Sequence, residues 1–185
     1  MAIRSVRVLS RAEVELFHPT TETALISITD PGLPVATLHP PISTLIRLQF
    51  FDLTERALGL PRGFLPDMGI AAPVEVDGET LPDARHAQQI VEFLRGVSLL
   101  PEPTDLVVHC EAGVCRSTAV ADYARRFYGA PVIGARNDLS RLNQRLSRLL
   151  TRVHTDRPLT QFTVTSSQIA AERDRRRLKL PKTPR

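Results

Sequence analysis

The stretch Leu106-Val107-Val108-His109-Cys110-Glu111-Ala112-Gly113-Val114-Cys115-Arg116-Ser117 decides how the rest of the chain is read. Leu106, Val107 and Val108 are enough for a short buried strand. Cys110 follows at its end, a loop runs on to Arg116, and a helical pattern opens at Ser117. A strand that hands over to a helix through a tight loop aims loop amides and a helix N-terminus at one spot, which then suits an anion. Gly113 supplies backbone freedom for such a loop. Arg116 adds a planar, permanently charged fork that can hold two oxygens of one phosphoryl group. Cysteines in fields of this kind ionise near neutral pH, with a pKa brought from about 8.5 into the ~3.5–7.5 range. Cys110 is therefore expected to be a nucleophile directed at phosphorus.

The remaining sequence supplies the frame for that loop. Residues 3–9 partly alternate and predict a first strand, followed by a helical patch over Arg11–Phe17. Ala24–Ile28 predicts a second strand with Asp30-Pro31-Gly32 as its turn. Pro31–Pro41 holds four prolines and reads as an extended surface connection. Leu45–Phe51 predicts a third strand with Asp52 at its end. Between Leu53 and Gly78 the pattern weakens, with three prolines and four glycines, which fits either a binding loop over a site or a surface insertion. Thr80–Asp83 reads as a helix start, with Ala87, Ile90, Val91 and Leu94 as the apolar face and Gly96 as the stop.

After the loop, Ser117–Tyr128 predicts a helix closed by Gly129, and Leu139–Val153 a second one with its arginines on a solvated face. Ser166–Lys179 predicts a polar helix capped by Ser166 or Ser167, beyond which Pro181–Arg185 should fray. Strands alternating with helices imply an α/β fold: a central, mainly parallel sheet flanked by helices, with the phosphate-binding loop between a central strand and a helix. The expected organisation is one domain carrying this loop over residues 1–155 and a C-terminal extension with a basic tail over 156–185.

Composition narrows the function classes. A chain of 185 residues with 42% hydrophobic and 24% charged residues is ordinary for a globular protein. No apolar run approaches a bilayer span, and Met1–Ser10 lacks a signal peptide's apolar core. Both cysteines lie in the one loop, so no disulfide framework is expected and a reducing, cytoplasmic setting is. The histidines are scattered, His86 reads as a surface residue, and no metal or other cofactor is expected. The net charge of +4 is uneven, because residues 172–185 hold seven Arg/Lys against Glu172 and Asp174.

His109-Cys110-Glu111-Ala112-Gly113-Val114-Cys115-Arg116-Ser117 resembles the His-Cys-x5-Arg-Ser/Thr loop of the cysteine-based protein tyrosine phosphatases. A looser likeness over Ile3–Leu150 is similar to the small bacterial single-domain members related to the dual-specificity branch. The resemblance implies that Cys110 attacks phosphorus, that Glu111–Arg116 form the phosphate-binding loop, and that His109 and Ser117 support the thiolate. It also implies a general acid opposite the cysteine. Asp52 is favoured, since sites of open α/β sheets lie at the carboxyl ends of strands. Relatives place this aspartate closer to the cysteine than the 58 residues that separate Asp52 from Cys110. Asp77, 33 residues before it, is the alternative general acid, with Asp67 behind both. Cys110 and Cys115 share the spacing of low-molecular-weight tyrosine phosphatases, whose loop can close as a disulfide; a small residue chosen for fit is the other reading of Cys115.

The implied activity is protein tyrosine phosphatase, with dual specificity as its wider form, acting on a phosphorylated protein or peptide. The loop lacks the lysines that suit phosphoinositides. A phosphoprotein-binding module without turnover, an arsenate reductase or sulfurtransferase, and an RNA 5′-phosphatase are the competing readings. The last would enlist the basic tail, Arg173–Arg185, which has no aromatic residue for base stacking. No membrane partner is expected.

Overall fold

The computed structural model describes residues 3–69, 72–134, 138 and 140–179. Five strands form one parallel sheet: β1 (Ile3–Ser10), β2 (Thr23–Thr29), β3 (Ile42–Gln49), β6 (Thr104–Cys110) and β7 (Val132–Ile133). Their spatial order is β3-β2-β6-β1-β7, which puts β6 at the centre. The central position explains its sequence, because five of its seven residues, from Leu106 to Cys110, are continuously buried. At the edge, β3 instead alternates half-buried and exposed residues. A separate two-stranded hairpin pairs β4 (Glu75–Val76) with β5 (Glu79–Thr80).

The two faces of the sheet are covered unequally. Helices α2 (Ala84–Ser98), α3 (Arg116–Tyr128) and α4 (Gln144–His154) pack on one face. Val6, Val8, Ala24, Ile26, Ile28, Leu106 and Val108 meet them in the main core. Residues of opposite parity, Leu25 and Val107, face the other way, as the period of two requires. There a four-residue helix, α1 (Arg11–Val14), and Ala36 and Leu38 of the proline-rich connection do the covering. Each fully buried Leu, Ile or Val in these layers contributes roughly 1.5–3 kcal/mol by leaving water.

Several local expectations shift. Strand β3 ends at Gln49 and not Phe51, so Asp52 stands three residues beyond it. Helix α2 runs through Gly96 to Ser98, with Leu99 as its C-cap. Its N-cap is Asp83, bonded to the amides of Arg85 and His86, and the His86 side chain returns the bond to the Asp83 amide. His86 is thus half-buried against Phe50 and not a surface residue. Helix α4 is capped by Asn143; Leu139, the expected start of that helix, lies outside the described residues, as do Pro181–Arg185. Thr165, not a serine, caps α5 (Ser166–Lys179), through reciprocal bonds with Gln168.

The largest correction concerns the arginines of α4, which are not a solvated face. Arg145 is fully buried and donates to Glu55 at 2.8 Å and to the carbonyls of Pro82 and Pro66 at 2.7 and 2.5 Å. Arg148 shares Glu55, and Arg152 bonds Asp67. Burial works against ionisation of Glu55, yet Arg148 and Arg145 hold its carboxyl below the usual range. The irregular stretch after Asp52 is therefore pinned through its carbonyls and buried acids, because it has no ladder of its own to satisfy them. Its apolar residues Leu60, Leu65, Val76 and Leu81 form a second core with Ile169 of α5. Residues 156–179 thus lie against the 1–155 body through this cluster, through Thr160 on Asp67, and through a bridge between Met68 and Gln161.

Candidate active site

The carboxyl ends of four parallel strands converge on one edge of the sheet. Ser10 pairs with Cys110 in register, Ser27 with His109, and Thr29 with Gln49. Cys110 is the last residue of β6, and α3 starts at Arg116, one residue earlier than the sequence pattern suggests. Glu111, Ala112, Gly113, Val114 and Cys115 make the loop between them. Gly113 is buried at φ +66, and a Cβ there would stand 2.6 Å from the amide nitrogen of Ser10 and 2.7–2.8 Å from the Leu9 carbonyl group. Only glycine lets the loop rest so closely on the end of β1. The Arg11 amide donates to the Glu111 carbonyl at 3.1 Å, and the Glu111 side chain turns toward Arg11. Ala112 is exposed and Val114 half-buried.

Within this frame the Cys110 Sγ is buried, 3.1 Å from the Ser117 Oγ. Cys115 is the N-cap residue of α3 and makes no side-chain cap bond, so the Ser117 hydroxyl is turned to the sulfur and does not cap the helix. His109 is fully buried, with Nε2 2.7 Å from the Ser27 hydroxyl. Burial drives its pKa down to about 4, so it is a neutral ring at physiological pH, bonded across to β2 through Ser27.

Arg116 is buried at 3% exposure, a costly place for a cation unless its protons are assigned. Its Nη1 donates to the Asp30 carboxylate at 2.5 Å and to the Phe50 carbonyl at 2.6 Å. Its Nε is buried without an acceptor among the described residues. One nitrogen of the guanidinium is thus held by protein while Nε remains uncommitted. Asp30 was not foreseen as part of the site, because Asp-Pro-Gly reads as a turn. The signal available was its position, one residue past the end of β2 and level with the other strand ends.

The three candidate acids separate clearly. Asp52 is exposed and accepts from Asn143 Nδ2 at 2.7 Å. It also lies beside Cys115, whose thiol is pushed up to about 11, first by burial and then by the Asp52 carboxylate. Cys115 is therefore a neutral thiol at physiological pH, and both cysteines are free. Asp77 sits at φ +54 in the β4–β5 turn, where both Arg173 Nη atoms donate to it at 3.0 Å. Asp67 is buried under Arg152 and Thr160. Of the three, only Asp52 is joined to the loop.

Asn143 makes that join, and sequence reading missed it. It is 2% exposed; its amide donates to the Cys115 carbonyl at 3.0 Å, its Oδ1 caps α4 at the Leu146 amide, and its Nδ2 reaches Asp52. An asparagine just before a helical run was the available sign, though it foretells the cap and not the other two bonds. Among the described residues no group of three or more His, Cys, Asp or Glu stands where it could hold a metal ion, and no helix is long and apolar enough to cross a membrane. No protein-family model, curated protein or solved structure matches the chain.

Proposed function

We propose that the chain is a protein tyrosine phosphatase, extending to phosphoserine and phosphothreonine in its wider form, that hydrolyses phosphomonoesters through a phosphocysteine. The Cys110 thiolate attacks phosphorus in line with the ester oxygen; the P–O bond breaks as Asp52 protonates the departing oxygen. Arg116 and the Glu111–Arg116 amides hold the three equatorial oxygens, where charge collects in a loose transition state. In the second step Asp52, now a carboxylate, takes a proton from water. The water oxygen attacks phosphorus, the S–P bond breaks, and the sulfur leaves as a thiolate that accepts a hydrogen bond from Ser117. The products are the free alcohol or phenol and inorganic phosphate.

The observation that carries the reading is the pairing of Cys110 Sγ with Ser117 Oγ at 3.1 Å in the same loop as a buried arginine with an uncommitted donor. A core corner has no use for a guanidinium bought at the cost of burying it. The purified chain should hydrolyse p-nitrophenyl phosphate in EDTA, Cys110→Ser should abolish turnover, and Asp52→Ala should reduce it roughly 10²–10⁴-fold. Full activity in Cys110→Ser would overturn the mechanism, and a loss in Asp77→Ala in place of Asp52→Ala would move the acid.

A further inference from the structure

A cleft of about 520 Å³ runs along α4 and is lined by five arginines: Arg62, Arg126, Arg148, Arg152 and Arg157. No acidic side chain lines it. The acids that its arginines contact lie beneath: Glu55 and Asp67 are 3% and 2% exposed, and Asp122 is 8%. Glu55 is already shared with Arg145, and Asp122 with Arg125. Arg62 and Arg157 are exposed and have no acidic partner among the described residues. The cleft therefore keeps a strong positive field, although residues 1–171 together carry one net negative charge.

One end of it adjoins Asn143 along the chain. Leu142 and Gln144 line the cleft and flank Asn143, whose side chain holds Asp52. From Gln144 to Arg152 the helix advances about 12 Å, the span of roughly four residues of extended polypeptide. The cleft wall holds no aromatic ring on which a base could stack, which disfavours a nucleic acid.

Resting on the phosphatase reading, we infer that this cleft binds the anionic flank of the phosphorylated polypeptide, a run of about four acidic or further phosphorylated residues beside the one being hydrolysed. Arg62 and Arg157 would contribute most, since neither is neutralised from below. The cleft would then make substrate choice a matter of charge beside the phosphorylated residue.

The test is fluorescence anisotropy on the full chain carrying Cys110→Ser, with two labelled phosphotyrosine peptides, one flanked by glutamates and phosphoserine, the other by neutral residues. The acidic peptide should bind about tenfold tighter, lose that advantage as salt rises, and lose it in Arg62→Gln/Arg157→Gln. A charge-matched control, Arg95→Gln/Arg177→Gln on α2 and α5, should keep it. Equal affinity for the two peptides, or an unchanged preference in the cleft variant, would overturn the inference. So would a 5′-phosphorylated oligonucleotide, and not the peptide, losing affinity in that variant. If the wild-type chain leaves p-nitrophenyl phosphate untouched, the phosphatase reading falls by itself, while the anisotropy comparison still decides the cleft.

Discussion

Asn143 performs two jobs that a pair of substitutions can separate. As the cap of α4 it satisfies the Leu146 amide at 2.9 Å; as a donor it holds the Asp52 carboxylate at 2.7 Å. Asn143→Ala removes both. Losing the cap costs about 1–2 kcal/mol, which for a chain of this size lowers the unfolding temperature by roughly 3–6 °C. The lost bond to Asp52 adds little to stability, because Asp52 is exposed and water replaces the donor. On the proposed mechanism its cost falls on turnover, where an acid free to turn from the loop should reduce kcat about tenfold, less than its outright removal. Asn143→Asp keeps the cap, since aspartate caps as well as asparagine, but sets a second carboxylate against Asp52. Two carboxylates at that separation hold one proton between them to higher pH. This variant should unfold near the wild-type temperature at acid pH, where the pair keeps its proton, lose stability as the pH rises above the ordinary carboxylate range, lose kcat, and move the alkaline limb of its pH–rate profile upward. Differential scanning calorimetry and p-nitrophenyl phosphate kinetics from pH 4 to 9 read both effects. Should Asn143→Ala lose stability while kcat and the pH profile stay as in wild type, Asn143 is a helix cap alone and Asp52 needs no positioning.

His109 makes stability depend on pH. Its folded pKa of about 4 lies below the ordinary 6.5, so the neutral ring is favoured by folding. The contribution is fully present above pH 6.5 and is lost as pH falls toward 4, amounting to roughly 3 kcal/mol. Urea unfolding across that window should show the decline, and His109→Gln should flatten it; a parallel decline in that variant would assign it to other groups. Arg145→Met should destabilise by about 3–5 kcal/mol, because Glu55 loses one of its two cations and two buried carbonyls lose their donor. Equilibrium unfolding checks it, and a change below about 1 kcal/mol would mean that the segment after Asp52 does not depend on this pin. Gly113→Ala combines a left-handed backbone, costing about 1–2 kcal/mol, with a Cβ 2.6 Å from the Ser10 nitrogen. The loop must lift from β1, so turnover should fall far more than stability; an active Gly113→Ala would show that the loop tolerates displacement.

The sequence by itself carried most of what depends on neighbours along the chain. The buried run before Cys110, the glycine in the loop and the helix behind it announced a strand–loop–helix at the centre of a parallel sheet, since each signal lies within a dozen residues. The period-two and helical patterns located most strands and helices; α5 spans the expected Ser166–Lys179 with Thr165 as its cap, whereas α4 begins only after its Asn143 cap and α2 runs past Gly96 to Ser98. Contacts between distant segments were not legible. The arginines of α4 have the spacing of a wet face, and only the fold brings Glu55, Asp67 and the Pro66 and Pro82 carbonyls over them. Asp30 and Phe50 lie 86 and 66 residues from the Arg116 they orient. Where Asp52, Asp67 and Asp77 lie relative to the loop likewise depends on packing, because a carboxylate's surroundings are assembled from segments that local composition cannot relate. Local chemistry wrote the loop; tertiary structure decided what surrounds it, for the physical reason that a buried charge is settled by whichever groups the chain folds against it.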